Sequence, residues 1–166
     1  MKTILITGPI GSGKSEVRRI LAARGFPVYD CDSRCKALYE SVPGLKKRIE
    51  EALGVPFGGI SVIFRDDSLR EKLESIVYPE LISDFRKWRE GLSGPVCFVE
   101  SAIAASKPVF DGLYDAIWLV DAPYEVRVKR NPKAEQRSSL QSFEGLAPEL
   151  VINNDSTIEN LEKQIP

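Results

Sequence analysis

Short runs of apolar, β-branched residues recur along the chain, and each stops on a polar residue. Thr3 to Thr7 is the first such run and reads as a buried strand. A glycine-rich turn, Gly8 to Gly13, follows. From Lys14 the spacing turns helical, with Val17, Ile20 and Leu21 on one face and Gly25 as the stop. Pro27-Val28-Tyr29 is a second strand ending at Asp30, Pro95 to Val99 a third ending at Glu100, and Ala116 to Val120 a fourth ending at Asp121. Leu150-Val151-Ile152 is a short fifth, ending at Asn153-Asn154. Strands alternating with helices predict an α/β fold with a five-stranded parallel sheet flanked by helices. Ligands of open α/β sheets sit at the carboxyl ends of the strands. That rule gathers Thr7, Asp30, Glu100, Asp121 and Asn153 near one rim.

Asp32 to Ser93 is too long for a plain crossover and reads as an inserted helical region. Its clearest helix is Tyr78 to Leu92, with Tyr78, Leu81, Ile82, Phe85 and Trp88 apolar and Pro79 in the first turn. A shorter helix carrying Leu69, Leu73 and Ile76 precedes it. The tail reads as a closing helix behind a capping box, Ser156-x-x-Glu159. The organisation expected is one domain over 1–166, with a helical acceptor-binding insertion at 32–93 and a short lid at 127–143.

Composition narrows the chemistry. The 166 residues are 43% apolar, with a formal net charge of -1 from 23 basic and 24 acidic side chains. A nucleic-acid binder would show a basic excess. Three cysteines without a C-x-x-C pair read as free thiols in a reducing cytoplasm. The N-terminal apolar run stops at Gly8, too soon for a signal peptide, and no run approaches a membrane span. There is no histidine. A general base is therefore a carboxylate, or a perturbed Lys, Tyr or Cys.

Gly8-Pro9-Ile10-Gly11-Ser12-Gly13-Lys14-Ser15 matches G-x-x-x-x-G-K-[ST] in full, between a strand and a helix. Such a loop turns backbone N–H groups onto phosphate oxygens, and the helix N-terminus adds positive partial charge. Lys14 is placed for the β- and γ-phosphates of ATP, and the Ser15 hydroxyl as a ligand of Mg2+. Asp30-Cys31-Asp32 follows the second strand, expected beside the P-loop. Kinases use a carboxylate on the acceptor hydroxyl. Asp32 is the candidate base, against a purely structural role as cap of a helix starting near Ser33. Asp30 is its alternative. Glu100 and Asp121 both end apolar strands as a Walker-B acid does, and the strand of Glu100 is expected nearest the P-loop. In the basic stretch Arg127 to Arg137, Arg130 is the candidate lid arginine; a solvated helix face is the other reading. Asn153 and Asn154 suit an adenine edge or a turn.

These residues together resemble the dephospho-CoA kinase family of P-loop kinases, as a divergent or shortened member. The P-loop and the D-x-D stand in that family's order. Leu73-Glu74-Ser75-Ile76-Val77-Tyr78-Pro79 is similar to its L-E-x-x-x-H-P element, and Glu100-Ser101-Ala102-Ile103 to its E-S-A-I segment. Ala122-Pro123 with Arg127 and Arg130 resembles the start of its lid. Val151-Ile152-Asn153-Asn154 resembles the V-I-x-N of its base site. The resemblance implies ATP-dependent phosphorylation of the ribose 3′-hydroxyl of dephospho-CoA, the last step of coenzyme A synthesis. It implies Asp32 as base with Lys14 and Arg130 in catalysis. Gly8, Gly11, Ser12, Gly13, Lys14, Ser15, Glu16 and Asn153 would contact nucleotide, and the helices around Tyr78 would hold the pantetheine arm. Pro9, Glu16 and Tyr78 depart from the family's Gly, Thr and His, and both the 54–64 stretch and the lid are short. Two other readings are another small P-loop kinase, acting on a nucleoside, a nucleotide or a shikimate-like alcohol, and an ATP-binding module with weak catalysis.

Overall fold

The computed structural model describes residues 1–137 and 143–166, and the side chains of 61–64 are left undescribed. It divides into two compact units. One comprises Met1–Asp30 with Leu92–Pro166, the other Cys31–Gly91.

The first unit is built on a parallel sheet of five strands: β1 (Lys2–Thr7), β2 (Val28–Asp30), β3 (Val96–Glu100), β4 (Ala116–Asp121) and β5 (Leu150–Asn153). Their order is β2-β3-β1-β4-β5. The strand carrying Glu100 therefore does lie against β1. The D-x-D strand does not: β3 stands between β2 and β1, because β3 pairs with both. The expectation that β2 adjoins the P-loop strand is corrected accordingly. β1 is buried on both faces from Thr3 onward, which is why it reads as continuous apolar sequence and not as an alternation.

The α1 helix (Lys14–Ala23) lays Val17, Ile20 and Leu21 on the sheet, the face its spacing predicts. Gly25 follows its end at φ 87, and its N–H donates to the Ala22 carbonyl. Phe98 packs edge-on to Phe26 and tilted against Trp118, with centroids 5.6 and 5.0 Å away. The α7 helix (Ile158–Gln164) closes the core with Leu161. Arg24 ties α1 to it by donating to the Ile165 and Glu162 carbonyls. The cap of α7 is Thr157, whose hydroxyl accepts from the Asn160 N–H. The Ser156 box is thus one residue out of phase; Ser156 instead accepts from the Asn160 amide.

The second unit is three helices, α2 (Cys31–Ser41), α3 (Leu45–Leu53) and α4 (Asp67–Glu90), with a 3-10 segment, Phe57–Arg65, before α4. Its interior is Leu38, Leu45, Ile49, Leu53, Val77, Leu81 and Phe85. Two helices were expected where one runs. Asp66 caps α4 by accepting from the Leu69 N–H at 3.1 Å, and Pro79 lies inside the helix. An interior proline removes one i→i−4 bond at a cost of roughly 3 kcal/mol. Burial of Val77, Leu81 and Phe85 on both sides of it, at about 1.5–3 kcal/mol each, offsets that cost. Two arginine–carboxylate pairs brace the bundle: Arg34 forks onto Asp84 at 2.7 and 2.8 Å, and Arg48 reaches Glu80 at 2.8 Å.

Two further elements, α5 (Tyr124–Arg130) and α6 (Lys133–Arg137), follow β4. The expected lid, 127–143, lies partly outside the described residues, and so does Leu140. No helix among the described residues is long and apolar enough to cross a membrane.

Candidate active site

The loop from Gly8 to Ser15 leaves β1 at the sheet's carboxyl rim and feeds α1, with Gly13 at the helix N-cap in a left-handed conformation, φ 96. The backbone there is closely overlain. A methyl on Gly11 would stand 2.5 Å from the Arg127 carbonyl oxygen, and one on Gly13 would stand 2.0 Å from Asn154 Nδ2. Only glycine fits such an approach. Lys14 Nζ donates to the Gly8 and Pro9 carbonyls at 2.8 and 3.2 Å, arching over the loop.

Two elements far along the chain clasp this loop. Asn154, just past β5, is buried and donates from Nδ2 to the Ser12 carbonyl at 2.9 Å. Its own N–H donates to the Asp121 carbonyl, which locks it to the end of β4. Arg130, the last residue of α5, donates from Nη2 to the Asn154 carbonyl at 2.9 Å, and Nη1 stands 3.4 Å from both the Gly11 and Ser12 carbonyls. A guanidinium is thus delivered to the loop. Arg127 donates from Nε to the Ala122 carbonyl at 3.1 Å and sits over the Tyr124 ring at 5.5 Å.

In the loop, at the end of β1 and on α5 are polar atoms whose needs the protein leaves unmet. Ser12 Oγ and Thr7 Oγ1 are fully buried without a hydrogen-bond partner, as is Arg127 Nη1. Buried orphans of this kind call for an explanation. A cradle of backbone N–H groups, glycines that admit no Cβ, Lys14 and these orphans suits an anionic phosphate chain. Ser15 is exposed in the first turn of α1, a hard oxygen donor beside that cradle. Magnesium takes one or two protein oxygens plus phosphates and water, so this donor fits it. Among the described residues no three His, Cys, Asp or Glu cluster as a metal cage.

No family model matches the sequence. A dephospho-CoA kinase of Porphyromonas gingivalis is 40% identical over 139 residues, covering 78% of this chain and 68% of that protein. One from Geobacter sulfurreducens is 31% identical over an aligned span of 189, covering 99% of this chain and 95% of that protein. The chain belongs to the dephospho-CoA kinase family. Among solved structures, TT1252 from Thermus thermophilus superposes with a TM-score of 0.80 at 29% identity, over 97% of this chain and 92% of that one. A dephospho-CoA kinase from Campylobacter jejuni, at TM-score 0.57, 16% identity and 98% and 93% coverage, shares the fold.

Set against this kinase framework, the expected site residues fall into two groups. Gly8, Gly11, Ser12, Gly13, Lys14, Ser15 and Arg130 converge on the loop. Glu16 lies in the first turn of α1 and is ion-paired with Arg19. Asn153 is exposed, its backbone clamped by Gln164, which accepts from the Asn153 N–H and donates to its carbonyl. The asparagine that reaches the loop is Asn154; alternation along β5 turns one of the pair outward and the other in. Asp32 belongs to the helical unit, where it is the second residue of α2. α2 starts at Cys31, so Asp32 stands in its first turn and not ahead of it.

The bases that histidine's absence leaves open are also narrowed. Burial pushes the Cys35 thiol up, with the Tyr39 hydroxyl accepting its S–H at 3.6 Å. Burial, then the Cys35 hydrogen bond, pushes Tyr39 well above the usual phenol range. Burial, then the charge of Glu74, does the same to Tyr78, the residue standing where the family has histidine. All three shifts favour the neutral form, which counts against these three as bases near pH 7.

One residue at the rim was not foreseen. Arg18, on α1, is ion-paired to both Asp30 and Glu100, and its Nε lies 3.0 Å from Glu100 Oε2. The signal was present: Arg18 is four residues after Lys14, on the same helix face, and the two acids end neighbouring strands.

Proposed function

We propose that this chain transfers the γ-phosphoryl group of ATP to the ribose 3′-hydroxyl of dephospho-CoA, giving CoA and ADP. The observation that carries the reading is the glycine cradle clasped by Asn154 and Arg130, whose strand rim leads through Asp30 into Asp32. In this reading the chain is one kinase domain over 1–166. The helical insertion at 32–93 receives the acceptor, and 127–143 serves as lid.

The cradle's N–H groups and Lys14 hold the β- and γ-phosphates in line with the acceptor, and position alone supplies much of the rate. Asp32 takes the proton of the 3′-hydroxyl as that oxygen bonds to the γ-phosphorus. The bond from phosphorus to the bridging oxygen breaks, and the electron pair leaves on ADP. Arg130 offsets charge on the transferring oxygens. Magnesium, held through Ser15 and the phosphates, supplies further neutralisation of that charge when bound. Three free cysteines suit a cytoplasmic enzyme, and a net charge of -1 suits a small-molecule acceptor better than nucleic acid.

The test is an acceptor screen with ATP and magnesium, read by mass spectrometry. Dephospho-CoA gains one phosphate and matches CoA, while AMP, nucleosides and shikimate stay unchanged. Turnover of AMP or another alcohol with no CoA formed would sink this reading in favour of another P-loop kinase. ATP binding with no turnover of any acceptor would leave a nucleotide-binding module.

A further inference from the structure

Arg18 carries an inference beyond the residues so far given roles. β2 is an edge strand of three residues, held to β3 by the register pairs Val28–Phe98, Tyr29–Val99 and Asp30–Glu100. The last pair sets two carboxylates opposite each other on strands that, in any sheet, lie about 4.8 Å apart. Like charges so placed repel, and both are largely shielded from water, with side-chain exposures of 17% for Asp30 and 14% for Glu100. Arg18 answers both charges: Nη1 donates to Asp30 Oδ2, and Nε lies beside Glu100 Oε2 as an ion pair without hydrogen-bond alignment. The planar fork of arginine can serve two carboxylates at once, as a lysine ammonium on its flexible stem does less well.

We propose that Arg18 is a positioning residue for phosphoryl transfer, which pins Asp30 and Glu100 side by side and so fixes the end of β2 from which the chain runs into Asp32. The inference rests on the reading that Asp32 serves the acceptor hydroxyl. Without Arg18 the last register pair of a short edge strand loses a cation that offsets the repulsion between its two carboxylates. The residue two places on then loses its fixed origin. A base misplaced by an ångström costs rate steeply, while the cradle from Gly8 to Ser15, made of backbone and Lys14, still takes ATP. Arg18 acts through the carboxylates it pairs with.

The experiment compares wild type, Arg18→Met and Arg18→Lys, with ATP affinity by calorimetry, kcat and KM with dephospho-CoA, and Tm. Arg18→Met is expected to lower kcat tenfold or more while ATP affinity stays within about threefold. Arg18→Lys is expected to recover part of kcat at unchanged ATP affinity, since it keeps the charge but not the fork. A folded Arg18→Met protein with kcat within about twofold of wild type overturns the proposal, and so does a loss that falls equally on ATP affinity. If Arg18→Met does not fold, Arg18→Lys decides: lowered kcat at normal ATP affinity supports the role, and wild-type kcat with a lowered Tm overturns it. If the wild-type protein makes no CoA, the acceptor assignment has failed. The same comparison, run on ATP hydrolysis with water as acceptor, then decides on Arg18 by the same criteria.

Discussion

Replacing Asn154 by alanine isolates the clasp on the P-loop. The substitution deletes the 2.9 Å bond from Nδ2 to the Ser12 carbonyl and leaves the backbone bonds of residue 154 to Asp121 and Arg130 in place. A buried carbonyl that loses its donor costs about 1–3 kcal/mol. Here Arg130 Nη1 stands 3.4 Å from the same oxygen and keeps part of that interaction. The expected loss is therefore about 1–2 kcal/mol, toward the lower part of that range. For a chain of this size that is a fall in Tm of roughly 3–8 °C. If the clasped loop is the form that takes phosphate, ATP affinity drops by about 5- to 30-fold as well. Differential scanning calorimetry and ATP titration read the two effects separately. The control is Asn153→Ala, whose exposed side chain is given no part in the clasp; its Tm should stay within about 1 °C of wild type. An Asn154→Ala protein with unchanged Tm and ATP affinity, or an Asn153→Ala protein with the larger loss, would refute the reasoning.

Three further outcomes are expected. Lys14→Ala should weaken ATP binding at least tenfold, about 1.4 kcal/mol, in a protein that still folds, because Nζ reaches loop carbonyls and not the core; calorimetry with circular dichroism checks both halves. Asp32→Asn should cut turnover roughly a hundredfold, within the range of general-base catalysis, at unchanged ATP affinity; it also removes a negative charge from the first turn of α2, worth about 0.3–1 kcal/mol to the helix dipole, so a small fall in Tm accompanies it. Cys35, its thiol pushed up mainly by burial, carries less thiolate at pH 8 than a free cysteine, and raising the pH restores it. Its labelling by a maleimide, followed by peptide mass spectrometry, should therefore lag behind glutathione at pH 8 and accelerate as pH rises; labelling as fast as glutathione would contradict that environment.

What the sequence made legible was whatever depends on local pattern. The P-loop, α1 and the strand ends each declare themselves within ten residues, and each lies where the pattern puts it. The order of strands is a different kind of fact. Nothing in Val28–Asp30 itself tells that β3 will insert between it and β1, because that is decided by which apolar faces pair at long range. Asn153 and Asn154 show the same limit at the finest scale. The two are chemically identical, and only the phase of β5 against the sheet decides which one turns toward Ser12.

Pro79 and Arg18 mark two ways in which packing overrides a local rule. Proline is a common first-turn residue, so a helix starting at Tyr78 is the economical reading of the sequence alone. Yet the apolar positions do not restart there: Val77, Leu81 and Phe85 lie at intervals of four, one stripe running through the proline. A continuous stripe buries as one face, and a break at Pro79 would split it, so the helix keeps its course and forgoes one hydrogen bond. Arg18 follows the complementary logic. As one charge on an amphipathic helix it reads as solvated surface. It becomes structural only once the sheet has brought Asp30 and Glu100 into register, for then two shielded carboxylates need a cation and α1 has one within reach. The pair of acids therefore explains the arginine, and not the reverse. Removing one acid together with the arginine should therefore be milder than removing Arg18 alone: Arg18→Met with Glu100→Gln should melt above Arg18→Met, by a few degrees for each ~1 kcal/mol of relieved repulsion. A double variant that melts no higher than the single one would mean that Arg18 stabilises the rim by packing its stem and not by balancing charge.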